Sequence, residues 1–536
     1  MNMKFLLVDV NGIGRGKRFA TLDVIGAGAR AIAGVLEQQD LPVELESFNN
    51  ILRKPSILRN YDALLVSAMT VDMPAARQVR YLWHRAARNK PAVIGGGIAC
   101  NPHEALLDAG YDICVIGEGE ETLEDLLKIL LGGKSPEHLK EVQGIAYKHG
   151  GHIIQNTLRS MMSRQKYDSY TPSSKIIKDY PLYFACRVYV EVLRGCSNFY
   201  RTSLKLANKK ECTHCDKCRS GPLGQRLDCP LKIPPGCGYC SVPNVFGPPR
   251  SRSTNKIVEE IDRLISEGVK RIILSASDIL DYGRDWITDE ALTDPRNPPS
   301  SLDALERLFS AIYDIDEVAK KDVSVGIENL KACLVTEESA ELLGRFFKGS
   351  PVSIGCESGS CEHCIALGRP STPNEVLTAV KRLRIHGLRP YVYFIHGLPG
   401  QNKASTQETL DTMRKLSEQG LEKITVYRFQ PLPMSAFANM PQASPAVYNE
   451  LSNAIVREAE RINKMLKINV VGELVKAIIA GKYHKNPDLL VAYPLVHGPV
   501  ILVKGNSNLI GKLCDIRITR VISDRLVEGK ILDKAN

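Results

Sequence analysis

The chain carries 15 cysteines, and the stretch from Cys196 to Cys240 concentrates them. Thiols recur there as Cys212-x2-Cys215-x2-Cys218, then Cys229, then Cys237-x2-Cys240. Crowding of this kind in a chain expected in the cytosol argues for metal coordination rather than disulfides. Cys212, Cys215, Cys218 and Cys229 are four thiols at short gaps, a set that could hold an iron–sulfur cluster or a structural zinc. A looser group, Cys356, Cys361 and Cys364, reads as free thiols near a helix start. Cys100, Cys114, Cys186, Cys333 and Cys514 read as small buried residues.

The elements that must position these thiols follow from hydrophobic patterning. In residues 1–135 short apolar runs (Phe5–Val10, Ala63–Ser67, Ala92–Gly95, Ile113–Ile116) alternate with helical stretches near 23–38, 73–88 and 121–131. That alternation predicts a parallel sheet with helices on both faces, and a ligand site at the carboxyl ends of its strands. The Gly-rich turns Gly95-Gly96-Gly97 and Gly117-Glu118-Gly119-Glu120 fall there. Residues 136–185 read as a connector with two short strands. From 186 to 440 repeated βα units predict a full or partial barrel with its active site at the strand carboxyl face. Residues 441–467 hold a linking helix. Residues 468–536 switch to closely spaced strands and turns, the pattern of a small all-β barrel.

Composition sets the class. With 44% hydrophobic and 24% charged residues the chain is an ordinary globular one. No apolar run reaches the roughly 18–20 residues that span a bilayer, and the start shows no charged region ahead of a cleavage site, so a cytoplasmic location is expected. A net charge of +10 suits a polyanion such as RNA but is modest over 536 residues.

The ordered motifs of residues 186–440 resemble the radical S-adenosylmethionine (radical SAM) family. Arg194-Gly195-Cys196 and Cys237-Gly238-Tyr239-Cys240 match its C-x3-C-x2-C cluster loop, interrupted here by an insertion over residues 197–236. The resemblance implies that Cys196, Cys237 and Cys240 hold three irons of a [4Fe–4S] cluster and that the fourth iron is left to S-adenosylmethionine. It also implies a cofactor pocket from Tyr239 in the loop, Ser277 and Asp278 at one strand end, Glu357 and Ser358 of Glu357-Ser-Gly-Ser360 at another, and Gly397 and Pro399 of Gly397-Leu-Pro-Gly400 at a third. One of the insertion cysteines could complete the radical cluster in place of Cys196; the Arg-Gly context favours Cys196. A zinc protein would account for the cysteines but not for the ordered strand ends.

Residues 1–135 resemble the Rossmann-like cobalamin-binding domain found ahead of many such barrels, on Gly95-Gly-Gly-Ile-Ala-Cys-Asn-Pro-His-Glu104 and Asp112-Ile-Cys-Val-Ile-Gly-Glu-Gly-Glu120. The implied cobalamin contacts are Gly95, Gly96, Gly97, Gly117, Glu118 and Gly119. The Asp-x-His-x2-Gly motif that gives cobalt a histidine elsewhere is absent; Asn11-Gly-Ile-Gly-Arg15 stands near its place. His103 reads as a helix-start residue rather than a cobalt ligand. A platform kept after loss of the cofactor is the alternative.

Residues 468–536 resemble a TRAM domain, an OB-like barrel that often binds tRNA. Lys476, Lys482, Lys485, Lys504, Lys512, Arg517 and Arg520 could meet phosphates, and Tyr483 and Tyr493 are the main candidates for stacking. Together the resemblances imply a cobalamin-dependent C-methyltransferase acting on an unactivated carbon of RNA, tRNA included, or of a protein, with ferredoxin or flavodoxin as electron donor. The protein alternative is a peptide methyltransferase of the methyl-coenzyme M reductase glutamine type. A methylthiotransferase ends in the same barrel but needs three front-domain cluster cysteines, where this chain has only Cys100 and Cys114. A small-molecule substrate and a non-enzymatic cobalamin- or RNA-binding module complete the alternatives. No catalytic acid or base is assigned.

Overall fold

A computed structural model describes residues 3–10, 13–14, 17–18, 23–132, 136–467, 470–523 and 526–532. Asn11, Gly12 and Arg15, in the loop noted for its missing histidine, lie outside the described residues. The chain divides into two compact units. One comprises residues 1–190 with 255–269, and the other comprises 191–254 with 270–536.

The first unit is built on a seven-stranded sheet. Its strands are β1 (Phe5–Asp9), β2 (Val43–Ser47), β3 (Ala63–Ser67), β4 (Ala92–Gly95), β5 (Ile113–Val115), β6 (Ile145–His149) and β7 (His152–Gln155), in the order β7-β6-β5-β4-β3-β1-β2. β1 to β5 run parallel, whereas β6 and β7 add antiparallel at one edge. The strands read as connectors therefore extend the sheet. β2 went unread because Glu44 and Glu46 alternate along it, the pattern of a wetted edge strand rather than a buried one. Four predicted strands and the helices Gly28–Gln38, Met73–Ala86 and Glu120–Leu131 lie where the periodicity put them. Chain order reverses between β1 and β3, so the carboxyl ends of these strands form the switch point where parallel sheets bind ligands.

A buried ion pair ties this unit together. Arg30 donates to the carbonyls of Ser173 and Tyr189 at 2.9 Å each and pairs with Glu260 at 2.5 Å, with both side chains out of solvent. Arg30 lies on the first helix, and Glu260 is in Thr254–Ser266, a helix far along the chain.

The second unit carries β8 (Arg271–Ser275) paired in parallel with β9 (Ser324–Ile327). A four-stranded parallel sheet follows, with the order β10 (Asn329–Leu330), β11 (Pro351–Glu357), β12 (Arg389–His396) and β13 (Lys423–Arg428). Helices Leu302–Tyr313, Glu337–Phe347, Pro373–Ile385 and Lys403–Glu418 intervene, giving the βα repeats expected of a barrel of this class. Along β12 the even-numbered residues are buried and the odd-numbered ones half-exposed, so Tyr391, Tyr393 and Ile395 share one wetter face. On that face the Tyr393 hydroxyl lies 2.7 Å from Ser353 Oγ, and the Tyr393 and Tyr427 rings pack edge to face.

Helix Glu450–Lys467 leads to a closed five-stranded barrel. It comprises β14 (Leu474–Tyr483), β15 (Asn486–Pro494), β16 (Val500–Lys504), β17 (Leu513–Ser523) and β18 (Leu526–Ile531), ordered β14-β15-β16-β18-β17. Ile479, Leu490, Ile501, Val503, Ile516 and Val527 fill it. Closure removes every sheet edge that could pair with another chain. Among the described residues no helix is long and apolar enough to cross a membrane.

The Arg30–Glu260 pair is the firmest energetic test of the first unit. Arg30→Ala removes one half of a buried ion pair and is expected to cost about 3–5 kcal/mol. Urea unfolding followed on the first unit checks it, and a loss under about 1 kcal/mol contradicts the assignment.

Candidate cluster and cofactor sites

In the second unit the backbone first fixes where the thiols can sit. Gly195 has φ +94°, and a Cβ there would lie 2.3 Å from the Pro248 carbonyl oxygen, so only glycine fits before Cys196. The Cys196 N–H donates to the Gly247 carbonyl at 3.0 Å, and Ser277 Oγ donates to the Gly195 carbonyl. On the far side of the insertion Gly236 N–H donates to the Tyr200 carbonyl and Gly238 N–H to that of Leu367, both at 2.8 Å. Cys240 N–H closes a turn onto the Cys237 carbonyl at 2.8 Å.

Asn198 then joins the two halves. Its backbone N–H lies 3.4 Å from Cys196 Sγ, and its side-chain amide donates to Cys237 Sγ at 3.3 Å and to the Gly368 carbonyl at 3.0 Å. Cys196 and Cys237, with 40 residues between them in the interrupted motif, thus meet on one residue. Burial raises the Cys240 thiol to about 12, and the neighbouring Cys237 and Cys196 push it the same way. Cys196 is raised by burial against the opposing charge of Lys331. Among the described residues no three His, Cys, Asp or Glu side chains close on a single metal ion. A cluster does not ask them to, because each thiolate binds a different iron at its own corner.

A cationic residue that sequence reasoning missed stands beside this group. Arg369 Nη1 donates to the Tyr239 hydroxyl at 2.9 Å, reaches Cys237 Sγ at 3.8 Å and pairs with Glu357 at 3.4 Å, while Nη2 is bonded to the Gly355 carbonyl. Glu357 sits in the left-handed region at φ +66° at the end of β11, beside a register shift against β12. A bulky residue held there is strained backbone of the sort that collects at binding sites. Burial raises its carboxyl above the usual range, with Arg369 opposing. Ser358 Oγ lies 3.1 Å from His363 Nδ1, and His363 Nε2 lies 2.8 Å from the Pro399 carbonyl. One buried histidine therefore couples the Glu-Ser-Gly-Ser and Gly-Leu-Pro-Gly strand ends. Burial lowers its pKa and favours the neutral ring. Gly397 N–H is held by Gln401 Oε1 at 2.6 Å.

Asp278, expected at the cofactor's amino group, lies fully buried in an ion network. Lys331 reaches Asp278 at 3.3 Å and Ser197 Oγ at 3.0 Å, and bonds Asp281, which also pairs with Arg284. Burial pushes Asp278 up to about 6 against Lys331; for Asp281 burial is outweighed, and Lys331 and Arg284 hold it below the ordinary carboxylate range. Ser197 Oγ also donates to Asp281 at 2.8 Å, so the network grips the residue next to Cys196. Asp278 and Ser277 thus support the cluster loop.

The insertion thiols Cys212, Cys215, Cys218 and Cys229 line one concavity. Cys356 and Cys364, read as free thiols near a helix start, are buried and bonded through sulfur to the Ser358 carbonyl at 3.2 and 3.3 Å, while Cys361 is exposed.

In the first unit the expected glycines stand at the carboxyl ends of β4 and β5. Gly96 has φ +89°, and a Cβ there would meet the Ala68 carbonyl oxygen at 2.6 Å, which fixes the close crossing of the β3 and β4 ends. Gly95 and Gly97 present no side chain, and beside them Met69 and Val71 are exposed apolar residues, 61% and 51% accessible. A bare backbone edge with apolar flanks fits a large, partly apolar ring such as a corrin. Gly117 and Gly119 flank Glu118, whose carboxylate accepts from the Met162 N–H at 2.8 Å and so braces the chain. His103 is exposed at the start of a helical turn, as read from the sequence.

Two family models match the chain: the radical SAM superfamily over residues 228–423, and the B12 binding domain over residues 20–127. The uncharacterized protein MK0932 of Methanopyrus kandleri is 41% identical over 99% of this chain and 97% of its own length. The uncharacterized protein MJ1620 of Methanocaldococcus jannaschii is 38% identical over 99% of both. The radical S-adenosylmethionine methyltransferase TsrM of Kitasatospora setae, solved with tryptophan and a cofactor analogue, shares the fold. It matches at 15% identity and a TM-score of 0.57, over 81% of this chain and 75% of its own.

Gly195 offers the sharpest test of the cluster loop. Gly195→Ala forces a left-handed alanine against a carbonyl and is expected to cut iron retained after anaerobic reconstitution at least several-fold. Wild-type iron content in a folded variant contradicts the loop assignment.

Proposed function

This chain belongs to the cobalamin-binding radical SAM family, with a [4Fe–4S] cluster, S-adenosylmethionine and cobalamin as its cofactors, and on that premise we propose that it methylates an unactivated carbon of a macromolecule. The observation that carries the reading is that Asn198 meets the sulfurs of both Cys196 and Cys237 while Cys240 closes a turn onto Cys237, giving three thiols where a closed cluster needs four. When bound, the cluster and S-adenosylmethionine supply a radical that takes hydrogen from a carbon, and cobalamin supplies the methyl group. The chain's part is placement. Asn198 and Arg369 donate toward Cys237, and such donors to sulfur stabilise the charged thiolate. Arg369 aims Glu357 and Tyr239 from one side, and His363 locks the two strand ends where Ser358 and Pro399 lie.

RNA is the substrate class we favour. The closed barrel exposes Lys482, Lys485, Lys504, Lys512 and Arg517. Of the other expected phosphate contacts, Lys476 pairs with Asp322 at 3.5 Å and Arg520 with Glu528 at 2.7 Å. Tyr493 is buried, with Arg271 over its ring, so stacking falls to Tyr483, which is partly exposed. Binding through such a surface rests on phosphate charge and is salt-dependent. The alternative substrate, a protein chain, needs none of these cations. A low-potential donor such as ferredoxin or flavodoxin and a reducing, cytoplasmic setting complete the proposal.

Anaerobic incubation with S-adenosylmethionine, reductant and methylcobalamin is expected to yield 5′-deoxyadenosine together with S-adenosylhomocysteine. Cys240→Ala is expected to abolish the first product. 5′-Deoxyadenosine without S-adenosylhomocysteine in the presence of candidate substrate counts against methyl transfer. For the substrate, Lys482→Ala/Lys512→Ala is expected to weaken total-tRNA binding about tenfold at low salt and to flatten its salt dependence by roughly two phosphate contacts. Unchanged binding favours the protein substrate.

A further inference from the structure

The reading above leaves the insertion without a task. From residue 207 to residue 230 only Arg226 is buried, yet the segment holds defined turns, with Lys209, His214 and Asp216 all in the left-handed region. Twenty-odd residues cannot bury enough apolar surface to fix such a backbone, and modules of this size draw their order from a cross-link or a metal. The cysteines supply that capacity, and His214, Asp216 and Asp228 line the same concavity without sharing their spacing. Cys212, Cys215, Cys218 and Cys229 line a single concavity of about 110 Å³.

Three further observations define what fills it. The His214 N–H lies 3.4 Å from Cys212 Sγ, the same i+2 amide-to-sulfur contact that Asn198 makes with Cys196 at the radical cluster. Amides so placed stabilise metal-bound thiolates. Secondly, the four thiols stand at gaps of 2, 2 and 10 residues around that one concavity, so each can reach its own iron. A polynuclear cluster spreads its thiolates over different irons and tolerates that separation. Thirdly, residues 205–232 carry seven Lys or Arg against three Asp or Glu. A [4Fe–4S]2+ core with four thiolates has about two net negative charges, which this surround offsets.

We propose that Cys212, Cys215, Cys218 and Cys229 hold a second [4Fe–4S] cluster, closed at all four irons by the chain. It is independent of the radical chemistry, since it uses none of Cys196, Cys237 and Cys240.

The test is iron, acid-labile sulfide and zinc counted on the full chain after anaerobic reconstitution, with EPR of the dithionite-reduced protein. Wild type is expected to hold about eight irons and eight sulfides. C196A/C237A/C240A is expected to keep about four of each, with an EPR signal indifferent to added S-adenosylmethionine. C212A/C215A/C218A/C229A is expected to lose about four of each. A wild-type count of about four irons overturns the proposal whether or not either variant folds. So does one zinc per chain in C196A/C237A/C240A, or a wild-type iron count in C212A/C215A/C218A/C229A. Failure of methyl transfer would leave these counts untouched and would bear on the function alone.

Discussion

The second unit depends on a single side-chain amide closing a gap. Asn198 stands two residues after Cys196 and yet donates to Cys237 and to the Gly368 carbonyl. That contact spans the 40-residue insertion that interrupts the motif. The loop can make the contact because its backbone is pinned at both ends: Gly195 lies against Gly247 and Pro248, and Gly236 and Gly238 bond Tyr200 and Leu367. The ion network of Asp278, Asp281, Arg284 and Lys331 then fixes Ser197 from behind. A buried network of four charges is costly unless every member is paired, and here the pairing is spent on holding one loop.

Around that loop, polar groups are shared. Arg369 serves Tyr239, Glu357 and Cys237, and His363 serves Ser358 and Pro399. Each links strand ends that are far apart in sequence, so a change at one reaches the others. The first unit is organised differently. Its expected ligand edge is defined by missing side chains at Gly95 and Gly97 and by exposed Met69 and Val71, while its rigidity comes from Arg30 and Glu260. The binding edge and the bracing contacts thus fall to different residues.

Much of this was legible in the sequence. Strands such as Ala63–Ser67 and Ala92–Gly95 and helices such as Leu302–Tyr313 lie where apolar periodicity put them, because burial on one face leaves that record. The closed rear barrel followed from closely spaced strands and turns. What was not legible acts through tertiary contact. Arg369 and His363 carry no local signature, as their partners lie up to 132 residues away. Lys331 is an isolated cation on the chain and becomes meaningful only beside Asp281. Asp278 reads as a cofactor contact because it follows a strand end, whereas its full burial and the nearness of Lys331 cannot be read from the neighbouring residues. The edge strand Val43–Ser47 escaped because its glutamates face water.

As proposed above, Cys196, Cys237 and Cys240 leave one iron open to S-adenosylmethionine. EPR of the reduced radical cluster, recorded in C212A/C215A/C218A/C229A so that no other cluster contributes, tests it directly. The account predicts that adding S-adenosylmethionine changes the g-values, because its amino and carboxylate groups bind the open iron. A cluster signal that is present and stays the same on saturation with S-adenosylmethionine would contradict it.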